Sequence, residues 1–208
     1  MDKRVGVFLQ ARMGSTRFPG KVLAPLKDDW NILDEAMHRL ASIETDVYAV
    51  LTDEASLEAL IPTVKRWESI WSIYAGHPTD VMKRFIDAAH TYHVDVIVRA
   101  CGDNPLVDYE VGQWALDIHL ASTGQATHLI GGDLGTAVEI VNTDALIAAY
   151  EKASPRDREH VMPAIWGSSM PINILNVDPI YGQSVTIDTP EDLERVRRIY
   201  DKSQATLD

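Results

Sequence analysis

Hydrophobic and polar positions along the chain fall into two alternating textures. Short, almost uninterrupted apolar runs such as Val5-Gly6-Val7-Phe8-Leu9 and Val96-Ile97-Val98 recur between longer stretches in which apolar residues return every three or four positions. The first texture is that of strands buried on both faces of a parallel sheet, the second that of amphipathic helices. Read in order, the runs predict strands over 5–11, 46–52, 70–75, 94–101, 127–131, 136–142, 172–177 and 184–187. Helices are predicted over 32–43, 54–67, 79–92, 108–122, 143–152, 156–166 and 190–200. Asn31 is placed to cap the first helix and Pro62 to interrupt the second, while Thr189, Pro190 and the acids behind them mark the start of the last. Strand then helix is the repeating unit, so the expected fold class is α/β, with a mostly parallel central sheet flanked by helices.

No repeat, low-complexity tract or linker divides the 208 residues, so a single domain over 1–208 is expected, with 203–208 as a frayed tail. No apolar run approaches the ~20 residues of a membrane span and no signal-peptide pattern opens the chain, which predicts a cytoplasmic protein without membrane insertion. The lone Cys101 excludes an intramolecular disulfide. A formal charge of −12 argues against nucleic acid as a partner, because the field of the protein opposes a polyanion.

Against that acidic background one segment stands out. Directly after the first apolar run, Gln10-Ala11-Arg12-Met13-Gly14-Ser15-Thr16-Arg17-Phe18-Pro19-Gly20-Lys21 combines turn-forming residues with three cations and no acid. Backbone N–H groups in such a loop can face an anion, arginine grips phosphate oxygens as a planar fork, and lysine adds a movable point charge. A phosphate site at a strand end fits; a solvated basic turn is the plainer alternative. Two aspartates are predicted at strand ends as well, Asp103 after 94–101 and Asp188 after 184–187. Ligands of open α/β sheets bind outside those ends, so Asp103 and the basic loop share a cleft if their strands are neighbours. Singly each aspartate also fits a turn or cap; jointly they suggest a few hard oxygens for Mg²⁺. His90 and His93 lie three apart on one predicted helix, but no third ligand accompanies them, and an ordinary helix-end pair is the simpler account. Cys101 reads as a small pocket-lining residue without the surroundings that would make it a nucleophile.

These residues also resemble a family. The segment at 10–21, Gly-His-Pro-Thr-Asp-Val at 76–81 with Arg84-Phe85, Val-Arg-Ala-Cys-Gly-Asp-Asn-Pro at 98–105, Arg158-Glu159-His160-Val161 and Ile-Asp-Thr-Pro-Glu-Asp-Leu at 187–193 are similar to motifs of the cytidylyltransferases related to CMP-KDO and CMP-sialate synthetases. Within that family the branch of spore-coat polysaccharide biosynthesis protein F matches well. The motifs keep family order and span nearly the whole chain. The resemblance implies a Rossmann-like nucleotide-diphospho-sugar transferase fold and a Mg²⁺-dependent transfer of CMP from CTP to a sugar or sugar acid, releasing pyrophosphate, in polysaccharide synthesis. It implies catalytic roles for Arg12, Lys21, Asp103 and Asp188, the two aspartates holding the metal. Gln10, Ala11, Arg12, Gly14, Ser15, Arg17, Lys21, Arg99 and Cys101 would bind the nucleotide, and Glu139 and His160 would face the acceptor. A homodimer belongs to the same set of expectations. The segment 126–135 is shorter than in the family, which leaves the acceptor open. A glycosyltransferase of similar fold is the alternative enzyme, although no Asp-x-Asp motif is present. A non-catalytic nucleotide-binding protein is the other alternative, one that would have no chemical need for Lys21, Asp103 and Asp188 together.

Overall fold

In the computed structural model, which describes residues 3–205, the chain opens with β1 (Val5–Gln10). A loop and a single 3-10 turn at Lys21–Leu23 lead to a small antiparallel hairpin of β2 (Pro25–Lys27) and β3 (Trp30–Asn31). There follow α1 (Ile32–Leu40), β4 (Val47–Asp53), α2 (Glu54–Lys65), β5 (Trp71–Gly76), α3 (Val81–Tyr92), β6 (Val96–Cys101) and α4 (Tyr109–Ala121). The remainder comprises β7 (Ala126–Ile130), β8 (Glu139–Asn142), α5 (Thr143–Tyr150), α6 (Pro155–His160), α7 (Pro163–Trp166), β9 (Ile172–Asn176) and α8 (Pro190–Ala205). The main sheet has the order β5-β4-β1-β6-β8-β7-β9. Its paired strands are parallel except around β8, which runs antiparallel to both β6 and β7. The α/β fold with a mostly parallel sheet is thus as expected.

Side-chain alternation along β1 explains the two helical layers. Val5, Val7 and Leu9 face one side, where they pack with Leu33, Met37 and Leu40 of α1, Leu60 of α2 and Leu116 of α4. Phe8 faces the other, against Phe85 and Met82 of α3 and Leu146 of α5. Because both faces are covered, the strand can be apolar throughout. Asn31 caps α1 in a full capping box with Asp34, as its position suggested. Pro62 lies inside α2 without ending it; the carbonyl it strands is that of solvent-facing Glu58, where water can take over.

Four expectations need correcting. Residues 184–187 form no ladder strand: Val185 N–H donates to Leu134 O and Ile187 N–H to Asp103 O, so the segment crosses over two loops rather than running beside a strand. The strand predicted over 136–142 begins only at Glu139, since Thr136 turns back with its N–H and hydroxyl on Asp133 O. The helix predicted over 156–166 is broken into α6 and α7 at Val161, and the hairpin β2–β3 was not foreseen. α8 continues to Ala205, past the predicted end at 200 and into the tail expected to fray; 206–208 lie outside the described residues.

The chain moves outward from β1 to β4 and β5, then returns to the other side of β1 for β6. The switch point therefore lies between β1 and β6, where their following loops diverge and leave a crevice.

Candidate active site

The loop after β1 folds back on one carbonyl. Met13 O accepts the N–H groups of Ser15 and Gly20, both at 3.0 Å, while Met13 N–H is held by Ser56 Oγ of α2 at 2.9 Å. Gly20 has φ 71°, a left-handed conformation that glycine adopts without a steric penalty. Its turn sends Lys21 inward at the start of the 3-10 turn. Gly102 allows the matching approach from β6: a Cβ there would stand 3.1 Å from Ala11 Cβ and 3.2 Å from Gln10 O. Register pairs Gln10 with Cys101, so the two loops leave the sheet side by side, meeting the condition set on Asp103.

Lys21 is the centre of the crevice. Its Nζ donates to Asp103 Oδ2 at 2.7 Å, to Ile187 O at 2.8 Å and to Asp188 Oδ1 at 2.9 Å, with the side chain only 11% exposed. Arg17, which is 66% exposed, reaches the second oxygen of Asp188 at 2.9 Å. Burial pushes the Lys21 ammonium toward losing its proton, but Asp103 and then Asp188 outweigh it and hold its pKa above the ordinary lysine value. For Asp188 burial acts to raise the carboxyl, and Lys21 followed by Arg17 overcomes it, leaving the pKa below the usual range.

Asp188 is presented by a small third core. Val185 and Ile187 point into it, packing with Leu26, Ile32 and Leu106 and with Leu193 and Val196 of α8. With Ile187 pointing in, the next side chain turns toward the cleft. Asp192 fixes the junction by accepting the N–H groups of Asp188 and Thr189 at 3.0 and 2.9 Å and pairing with Arg195. Burial raises its pKa, yet the Arg195 bond and those backbone donors bring it down to about 2.

Two cavities flank the crevice. One of about 700 Å³ is lined by Arg12, His77, Thr79, Asp80, Arg158 and Glu159 among others. Arg12 lies 3.8 Å from Glu159, and Arg158 lies over the Tyr150 ring and 3.6 Å from Asp80. Beneath it the fully buried Arg84 holds the carbonyls of His77 and Pro78, at 2.6 Å and 3.1 Å from its Nη2. Val161 closes the α6 end in a γ-turn, φ 70° and ψ −70°, with Met162 N–H on His160 O at 2.9 Å; a β-branched residue there is strained.

The other cavity, about 300 Å³, is lined by Arg99, Cys101, Asn104, His128, Asp133 and Glu139 among others. Arg99 and Glu139 are register partners across β6 and β8 and form an ion pair there, with Gln10 Oε1 3.4 Å from Arg99 Nη2. Burial pushes the Cys101 thiol up, only partly opposed by Arg99, as befits a lining residue rather than a nucleophile.

The fold thus brings Lys21, Asp103, Asp188 and Arg17 into one cluster and sets Arg12 on one flank, with Gln10, Arg99, Cys101 and Glu139 on the other. Ser15 spends its hydroxyl locally, accepting from Phe18 N–H at 3.3 Å, and Gly14 is exposed. Ala11 is buried, its N–H on Leu51 O. His160 is exposed and lines neither cavity. His93 caps α3 in a left-handed conformation beside Asp95, at the opposite end of the sheet. Among the described residues no group of three or more His, Cys, Asp or Glu side chains converges as a metal site. Two carboxylates and a carbonyl nevertheless surround a single cation, all through hard oxygen, a donor set that suits Mg²⁺ when substrate and water complete the shell.

The profile of the family described as Cytidylyltransferase matches residues 7–206. The chain belongs to that family. It is 28% identical to spore coat polysaccharide biosynthesis protein SpsF of Bacillus subtilis (strain 168), over 94% of this chain and 85% of that protein. It superposes on a cytidylyltransferase from Leptospira borgpetersenii with a TM-score of 0.86 and 29% identity, covering 96% of this chain and 87% of the other. A CMP:2-keto-3-deoxy-manno-octonic acid synthetase solved with CTP shares the fold, with a TM-score of 0.77 at 15% identity and coverage of 96% and 99%. As a cytidylyltransferase the protein is a nucleotidyltransferase, the reading preferred over the glycosyltransferase and non-catalytic alternatives.

Sequence reading did not single out Arg84, Asp192, Arg195 or Asn104. Arg84 was legible only as part of a family motif, and Asp192 only as a motif residue and first-turn acid; that they lock two loops around this cytidylyltransferase's crevice depends on tertiary neighbours.

Proposed function

We propose that this cytidylyltransferase is a single nucleotidyltransferase domain that moves CMP from CTP to a hydroxyl of a sugar or sugar acid, releasing pyrophosphate, in cytoplasmic polysaccharide synthesis. The observation that carries the reading is the convergence of Asp103 and Asp188 on Lys21 at the switch point, their carboxylate oxygens 2.7 and 2.9 Å from its ammonium. The relative named for spore coat polysaccharide biosynthesis, and a 3-deoxy-manno-octulosonate cytidylyltransferase of Anaeromyxobacter sp. (strain Fw109-5) that is 32% identical over 52% of this chain and 43% of its own length, support the acceptor class.

The acceptor oxygen forms a bond to the α-phosphorus while the bond to the pyrophosphate oxygen breaks, and the hydroxyl proton leaves to solvent. Such a displacement needs alignment and charge neutralisation more than covalent help. A divalent cation held by Asp103 and Asp188 would supply Lewis-acid polarisation of the phosphate oxygens. Lys21 and Arg17 turn from the carboxylates to the triphosphate, and Arg12 steadies it from the loop. The Arg12 flank, walled by the loop that Arg84 fixes, takes the nucleoside; the Arg99–Glu139 flank takes the acceptor, so Gln10, Arg99 and Cys101, which the family resemblance assigns to the nucleotide, stand on the acceptor side.

Pyrophosphate release, followed with CTP, UTP, GTP and ATP and Mg²⁺ across sugar acids and sugar phosphates, tests the proposal. Turnover confined to CTP with one acceptor class is expected. Equal rates with all four nucleotides would break the cytosine assignment.

A further inference from the structure

The oxygens best placed for a divalent cation already hold one of the protein's own cations. Lys21 Nζ sits 2.7, 2.8 and 2.9 Å from Asp103 Oδ2, Ile187 O and Asp188 Oδ1, while Arg17 Nη2 takes the remaining Asp188 oxygen at 2.9 Å. Two carboxylates are therefore balanced by two cations, and the cradle has no net charge to attract a metal. Mg²⁺ needs its oxygens at about 2.0–2.1 Å. A dication bound to these same atoms would press against the ammonium, a repulsion that partial burial leaves poorly screened.

We propose that Lys21 is an internal counter-ion that closes the divalent-cation site until a nucleoside triphosphate draws it away, so that metal enters with the nucleotide and not before it. The proposal rests on the reading of Asp103 and Asp188 as metal ligands. The exchange is mechanically simple. Lysine carries its charge on a flexible four-carbon stem, so the ammonium can leave without moving the backbone. Arg17 is two-thirds exposed and swings at little cost. A triphosphate offers both cations more negative charge than the two aspartates they release, and it brings oxygen ligands for the metal at the same moment. Lys21 thus acts twice, as a plug in the free protein and as a phosphate contact in the loaded one.

The test is Mn²⁺ titration of the whole protein, followed by the loss of the free-ion paramagnetic resonance signal, with and without a non-hydrolysable CTP analogue. Wild type is expected to bind Mn²⁺ weakly alone and tightly with the analogue. Lys21→Met tightens Mn²⁺ binding in the absence of nucleotide by roughly tenfold or more, and Arg17→Gln by a smaller factor in the same direction. Unchanged or weakened affinity in Lys21→Met overturns the proposal; if that variant does not fold, unchanged affinity in Arg17→Gln does so. Wild type binding Mn²⁺ equally well with and without the analogue overturns it too. Asp103→Asn, made alone and in the Lys21→Met background, separates the two layers. If it abolishes Mn²⁺ binding while Lys21→Met leaves affinity unchanged, the plug fails and the metal-ligand reading stands. If tightened binding survives Asp103→Asn, both fail.

Discussion

The charged groups at the β1–β6 switch point come from loops; the ion pair of the neighbouring flank, Arg99 and Glu139, comes from positions within strands β6 and β8. Lys21, Asp103, Asp188 and Arg17 sit on three separate loops, and two of their ion pairs join a buried lysine to carboxylates still 26% and 36% exposed. Arg99 and Glu139 are locked by strand register, their side chains 11% and 26% exposed, and His119 lies deeper in the same half. The difference separates two kinds of recognition. Loop-borne ions can change partners, which suits a highly charged ligand that must arrive and leave as pyrophosphate. Strand-borne ions hold a fixed shape, which suits choosing one acceptor among similar ones.

The largest effect is expected at the carboxylates. Asp103→Asn or Asp188→Asn is expected to lower pyrophosphate release by about a thousandfold, the scale of losing a principal electrostatic stabiliser, with only a modest fall in Tm because Lys21 keeps the other carboxylate as partner. Near wild-type turnover in either would end the assignment of the loop side. Next, Ile187→Ala empties a position in the third core and is expected to cost about 2–4 kcal/mol in denaturant unfolding. Activity should fall with it because Asp188 loses its anchor. A stable but inactive variant would sharpen the view that this small core serves the site.

On the strand side, Glu139→Gln leaves Arg99 without its counter-charge and should cost about 2–3 kcal/mol, at the low end for a buried pair because Glu139 is partly exposed. CTP affinity should stay near wild type while the acceptor KM rises. Loss of CTP binding instead would show that the flanks are not separable. The smallest effect concerns pH. His119 is fully buried between Thr127 Oγ1 and Asn142 Oδ1; burial lowers its pKa, only partly offset by the Asn142 bond. The unfolded chain takes a proton near pH 6.5 and the folded chain only below that, so this contribution is complete above about 6.5 and is lost as pH falls toward the folded value. Urea midpoints measured between pH 7.5 and 5 should decline in wild type and less steeply in His119→Gln. Parallel slopes would remove His119 as the cause.

How much of this was legible in the sequence divides along the same line. The long apolar runs announced β1, β4 and β6, and the glycine-rich basic segment announced an anion loop, because both signals are local. Asp103 was placed correctly at a strand end, but its meeting with Lys21 depended on β1 and β6 being neighbours, which no local pattern fixes. Asp188 was read as following a strand because Val185 and Ile187 alternate with polar residues; that alternation serves a small core under α8. The Arg99–Glu139 pair was out of reach, since it exists only because β8 inserts antiparallel beside β6. The hairpin at 25–31 is too short for a periodic signal, and its turn uses Asp28 at φ 47° where a glycine would have advertised it.

The most direct measurement is the thermal shift of the purified protein with CTP and Mg²⁺ beside that of Asp188→Asn. A rise of about 5–10 °C at a hundredfold excess over Kd is predicted for wild type, largely lost in the variant. No shift in wild type, or an equal shift in both, would contradict the nucleotide–metal site at the β1–β6 switch point.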